Sequence, residues 1–210
     1  KLENEKLLMP TIQHLLRSNQ SQVKSQDDYL SGKAHPAVFD RANLDAIGMM
    51  TAAHEMRLNT IPPLVQISVI SEDELQPGRD FLGPARLSEK HIDSPDVISR
   101  VWRGYPMKRT MTVSAKETIR INDEPLRYHW IVLRGPRDNV TITPLDDDKS
   151  TVQIEITYPG RTESDWINGM WSNRLDIGVF AETSNSISAP AFITWMTLDN
   201  EQRNYDESGN

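Results

Sequence analysis

The chain changes its hydrophobic period at Pro62-Pro63, and that change constrains the fold more than any other feature of its 210 residues. Before it, apolar residues recur every three to four positions. Leu7 and Leu8 precede Pro10, and Ile12, Leu15 and Leu16 follow it, a helical stripe with a proline in its path. This spacing predicts a kinked helix or a helix pair. Residues 18–28 are almost all polar and read as a linker or exposed loop. Asn43 is the expected cap of a further helix whose Leu44, Ile47, Met50, His54 and Leu58 recur on one side, a stripe that calls for a packing partner.

Beyond the prolines the period is two. Val65, Ile67 and Val69 alternate with polar residues, as do Met111, Val113 and Ala115, and then Val152, Ile154, Ile156 and Tyr158. Tyr128, Trp130, Ile131, Val132 and Leu133 read as a central strand, Val140 and Ile142 as a short one, and Leu175, Ile177, Val179 and Ala181 as another, followed by residues 191–198. Turn residues separate these runs: Pro125, Gly135-Pro136, Asp146-Asp147-Asp148 and Pro159-Gly160. About seven short strands with such breaks predict a mainly β fold, an antiparallel sandwich with an N-terminal helical extension. The expected divisions are an extension over 1–61, the end of a larger upstream region, a sandwich over 62–200 with a long insertion at 72–109, and a polar tail over 201–210.

Composition narrows the partners. A formal net charge of −7 disfavours a phosphate backbone or an anionic bilayer, both of which need cationic excess. The cluster of Trp102, Arg103, Tyr105, Lys108 and Arg109 mixes cations with aromatics, and a solvated loop explains it. No apolar run approaches the ~20 residues that cross a bilayer, so no membrane insertion is expected. The absence of cysteine removes disulfides and thiolate metal sites.

Val113-Ser114-Ala115, followed by Asn122-Asp123-Glu124-Pro125-Leu126-Arg127-Tyr128-His129-Trp130, resembles PKD-like and related Ig-like β-sandwich modules over about residues 108–198. Tyr128 and Trp130 point the same way, and an indole between two sheets fills a core ~10 Å thick. After its Trp the chain departs from the family: Ile131-Val132-Leu133-Arg134 extends the strand where those modules turn at Gly-Asp-Gly. The resemblance implies a spacer, adhesion or accessory role in an exported multidomain protein, with an extracellular, periplasmic or cell-surface location.

No catalytic pattern stands out. His54-Glu55 lacks the second histidine of a zinc protease, since position 58 is Leu, and the five histidines show no ligand spacing. Ser31-Gly32-Lys33-Ala34-His35-Pro36 lacks the spacing of a phosphate loop and reads as a turn. Asp146, Asp147 and Asp148 gather three carboxylates on one loop, either a solvated turn or a site for calcium, the one cofactor this chain suggests.

The most informative piece is Trp166-Ile167-Asn168-Gly169-Met170-Trp171. If its indoles are exposed, Trp166 and Trp171 would stack on sugar rings while Asn168, Asn173 and Arg174 bond the hydroxyls. If they are buried, they cover the end of the core or dock the helices. Three functions follow. The first is a non-catalytic structural or interaction module whose partners are other domains of its parent protein, or a protein or glycan ligand, and not nucleic acid. The second is a carbohydrate-binding module using Trp166 and Trp171. The third is an accessory fragment of a hydrolase whose active site combines Lys33, His35 or His54 with residues from another domain.

Overall fold

The computed structural model describes residues 2–83, 87–121, 123–164 and 169–209. Its helices, α1 (Leu8–Ser18), α2 (Gln26–Tyr29) and α3 (Ala46–Glu55), all precede position 62. Pro10 sits in the first turn of α1, where its missing N–H is one a helix leaves unpaired anyway. The expected kink or break is therefore absent, and one helix runs through the proline. The polar stretch after it is not simply a linker. Gln20 is buried with its Nε2 donating to Leu16 O (2.9 Å), and Ser25 Oγ accepts from Asp28 N (3.1 Å) to start α2. In α3 the cap is Asp45, whose Oδ1 accepts from Gly48 N (2.8 Å), rather than Asn43, which closes a 3-10 turn. The stripe expected to pack faces water: Ile47 is 79% and Met50 75% exposed, and no α3 residue is buried.

The rest is mainly β. In chain order the strands are β1 (Ser68–Glu72), β2 (Lys90–Asp93), β3 (Val97–Val101), β4 (Lys108–Ser114), β5 (Arg127–Arg134), β6 (Val140–Pro144), β7 (Thr151–Thr157), β8 (Thr162–Glu163), β9 (Trp171–Ser172), β10 (Arg174–Glu182) and β11 (Ala191–Met196). One sheet has the order β1-β4-β7-β6 and is antiparallel; a second has the order β2-β3-β11-β10-β5; β8 and β9 form a separate two-stranded ribbon. The second sheet is mixed, because β3 runs parallel to β11 with Ile98 opposite Ile193. Apolar residues from both large sheets form one core: Met111, Val113, Ile154 and Ile156 from the first, and Ile98, Leu175, Ile177, Val179, Ile193 and Trp195 from the second. β-branched side chains at alternate positions put one face of each strand into this core, where burial stabilises by roughly 25 cal/mol per Å² of apolar surface.

β10 is buried on both faces. Phe180 and Leu133 on the outer side of the second sheet cluster with Tyr29 and Ala34, so the N-terminal segment covers that face. Gly178 is needed beneath this cover, since a Cβ there would stand 2.5 Å from Leu133 Cδ1.

The span 72–109, expected as an insertion along the body, supplies two strands of the second sheet. Its pattern concealed them because β3 buries an arginine. Arg100, with no exposed surface, donates to both oxygens of Glu72 (2.7 and 3.1 Å) and to the carbonyls of Ile92 and Ser99 (both 3.0 Å). The cluster expected to be a solvated basic loop is split: Arg103, Tyr105 and Lys108 are exposed, whereas Trp102 and Arg109 are interior. Trp102 is fully buried against Trp195 and Tyr158 (ring centroids 5.5 and 5.6 Å), and Arg109 Nη2 meets Glu89 Oε1 at 2.9 Å. Trp130 is only partly buried, with Nε1 donating to Lys149 O (2.8 Å), and its expected place in the centre of the core is taken by Trp102 and Trp195.

Candidate functional site

Pro159-Gly160 ends the excursion of β7, and Gly160 adopts a positive φ of 61° that turns the chain away from the sheet. The ribbon of β8 and β9 follows, pairing Thr162 with Ser172 and Glu163 with Trp171. This ribbon holds the Trp171 indole 57% exposed. Beneath it lies a cleft of about 700 Å³. Tyr158 and Arg161 line one side, and Asp199, Asn200, Gln202 and Arg203 line the other.

The second wall belongs to the C-terminal stretch, which the sequence marks as polar tail. Arg203 lies over the Tyr158 ring, 5.0 Å from its centroid, and donates from Nη1 to Gly104 O. Glu201 accepts from Arg203 Nε and Nη2 (2.8 and 2.9 Å). Tyr205 packs edge-on against Tyr158 (5.8 Å) and donates from Oη to Tyr105 O (3.1 Å). Burial pushes the Tyr158 phenol up, and the Arg203 cation beside it works in the opposite direction. Arg161 and Asp199 stand in no sequence pattern, and Tyr158 reads there only as the end of an apolar alternation. The available signal was Arg203 and Tyr205 themselves, an arginine and an aromatic standing in an otherwise solvating string.

The described candidate residues do not converge as a group. Trp166 and Asn168 lie outside the described residues. Asn173 is structural: its Nδ2 donates to Thr197 O (2.7 Å) and its carbonyl accepts from Thr197 N (2.9 Å), clamping the start of β10 to the end of β11. Arg174 turns from the cleft to Asp176, with Nε donating to Oδ1 at 2.7 Å, and Thr194 Oγ1 donates to the same oxygen. Of the three described residues among these five, Trp171 alone lines the cleft.

In the acidic turn, Asp146 Oδ1 accepts from Thr151 N (3.0 Å), while Oδ2 accepts from Ser150 Oγ (2.9 Å) and faces Lys116 Nζ (3.2 Å). Burial raises the Asp146 carboxyl, but these donors outweigh it and hold it well below the usual carboxylate range. Asp148 Oδ1 accepts from Ser150 N (2.9 Å), and Asp147 is exposed. Two of the carboxylates thus build the turn instead of converging on one point. Among the described residues no group of three or more carboxylates and histidines is placed to hold a metal ion. Lys33 pairs with Asp28, His35 is buried, and His54 is exposed on α3.

No family model matches the chain, and no curated protein matches it. Among solved structures it is similar to a nucleoside hydrolase-related hypothetical protein from Saccharophagus degradans that is described as associated with carbohydrate metabolism, at 10% identity and a TM-score of 0.32. The alignment covers 51% of this chain and 23% of that one, so the chain spans less than a quarter of that protein's length. A likeness at that score carries no argument about fold or function.

Proposed function

We propose that this chain is a non-catalytic, Ig-like sandwich module that binds a carbohydrate in the cleft under Trp171. The observation that carries the reading is the exposure of that indole. A tryptophan on a two-residue strand leaves more than half its surface in water although a buried position would stabilise the fold, and it stands over amide, carboxylate and guanidinium side chains. An aromatic face stacks on the C–H face of a sugar ring, and Asn200, Gln202, Asp199 and Arg161 are donors and acceptors suited to its hydroxyls. The resemblance to PKD-like and Ig-like modules is in keeping with two sheets sharing one core, and it supplies an accessory role beside other domains. A glycan array followed by calorimetry tests the proposal. Trp171→Ala is expected to weaken binding of the best oligosaccharide at least tenfold with an unchanged melting temperature, and equal affinity in the variant overturns it.

A second reading, docking onto another domain of the parent protein, is favoured by one separate observation: α3 carries Ile47 and Met50 with about three quarters of their surface in water.

A further inference from the structure

The N-terminal segment lies on the outer face of the second sheet through apolar contacts and a hydrogen bond from Tyr29 to Ser188 between β10 and β11, and its own hydrogen bonds give each proton one assignable place. Buried Tyr29 donates its hydroxyl proton to Ser188 O (2.9 Å), so toward His14 Nδ1 (3.1 Å) it can only accept, and His14 carries its proton on Nδ1. Arg17 Nη1 lies 3.1 Å from His35 Nδ1. A guanidinium is always a donor, so His35 Nδ1 is bare and its proton sits on Nε2, donated to Tyr29 O (2.6 Å). The Arg17 guanidinium is stacked over Phe39 and Phe192 (5.1 and 5.5 Å), and among the described residues no carboxylate forms an ion pair with it. Phe180 of β10 closes the site, 5.2 Å from the His35 ring.

A second proton on His35 has no place in this arrangement. It would set an N–H against the Arg17 N–H and put two cations side by side in an aromatic pocket. Burial, reinforced by the Arg17 charge, accordingly pushes His35 down to about 3 against the opposing pull of the Tyr29 carbonyl; burial alone pushes His14 down to about 4. The other groups facing the segment do not compensate. Glu55 of α3 and Glu182 of β10 line the cleft beside His14. Glu182 is already engaged by His129 of β5 (2.7 Å) and Gln26 of α2 (2.8 Å). Lys33 and Asp28 pair with each other at the surface.

We propose that residues 8–35 are an acid-released cover: protonation of His35 and His14 detaches the segment and uncovers the apolar face made of Ile131, Leu133, Phe180 and Phe192 on the second sheet. Both histidines hold a proton less readily docked than free, where the ordinary value is 6.5. Docking is therefore at full strength above that pH and weakens as the pH falls toward 4, by roughly tenfold per pH unit for each histidine.

Hydrogen exchange of the full chain at pH 7 and pH 5, corrected for intrinsic rates, tests this. The expected result is a loss of protection of roughly 500-fold in residues 8–35 while β4, β7 and β10 stay protected. The double variant His14→Gln with His35→Gln is expected to stay protected at pH 5, because a glutamine at 35 accepts from Arg17 and donates to Tyr29 O without titrating. Should that variant fail to dock even at pH 7, imidazole nitrogen spectra of the unaltered chain decide: a bare Nδ1 on His35 wherever the segment is protected supports the cover, and an imidazolium in a protected segment overturns it. Equal protection of the unaltered chain at both pH values, or simultaneous loss in every strand, also overturns it.

Discussion

Arg109 keeps only 2% of its surface in water, and the fold stabilises its charge by converging three donors on one carboxylate. Glu89 Oε1 accepts from Arg109 Nη2 (2.9 Å) and from the backbone N–H groups of Arg103 (2.7 Å) and Gly104 (2.6 Å). The arrangement requires a glycine at 104. A Cβ there would stand 1.8 Å from Arg109 Nη2 and 2.6 Å from Leu75 Cδ2, and a buried guanidinium has nowhere else to go. Gly104→Ala is therefore expected to lower unfolding free energy by roughly 3 kcal/mol or more, the cost of breaking a buried ion pair, as read by urea denaturation. A loss below about 0.5 kcal/mol would show that Arg109 has a second resting place. These residues illustrate how far side-chain roles can be read from sequence. Trp171 was legible as a candidate because an indole beside glycine and asparagine stands out, whereas Trp102 and Arg109 looked like a solvated basic loop. Burial of Arg109 depends on Glu89 and that of Trp102 on Tyr158 and Trp195, partners distant in the chain that no local pattern ties to them.

Elements with local causes were legible, and elements with distant ones were not. β4, β7 and β10 alternate or run apolar and were expected where they occur. By sequence β2 and β3 read as part of an insertion, because Arg100 occupies a position where alternation calls for an apolar residue and its partner Glu72 lies on another strand. The C-terminal stretch is the sharper case. Its polarity suggests a solvated tail, yet Arg203 and Tyr205 seal Tyr158 at one end of the core and form a wall of the cleft. Removing residues 201–210 is expected to cost ~1–3 kcal/mol through the lost cation–π and aromatic contacts, and to weaken carbohydrate binding along with it. Calorimetric scanning and binding isotherms on the shortened chain check both effects. A shortened chain with full affinity would place the ligand on Trp171 alone.

For the whole molecule, two sheets close over one core while a helical segment seals the outer face of the second sheet. Phe180 and Leu133 are buried because Tyr29 and Ala34 lie on them. A chain lacking residues 1–61 is expected to bind an apolar dye and to unfold at lower urea, by ~3 kcal/mol, since several large side chains return to water; dye fluorescence equal to that of the full chain would show that the face is covered by something else. The sequence by itself determined the class of structure: helices before Pro62-Pro63, strands after them, no cysteine chemistry, and a tryptophan-bearing segment before β10. Those properties are set by local period and residue type, which act over a few positions. Only the tertiary structure decided that β3 runs parallel to β11, that the polar C-terminal stretch walls the Trp171 cleft, and that burial works against a charge on His14 and His35 within the N-terminal segment. Each of these depends on groups brought together from distant parts of the chain, where burial and the directions of single hydrogen bonds outweigh local preference.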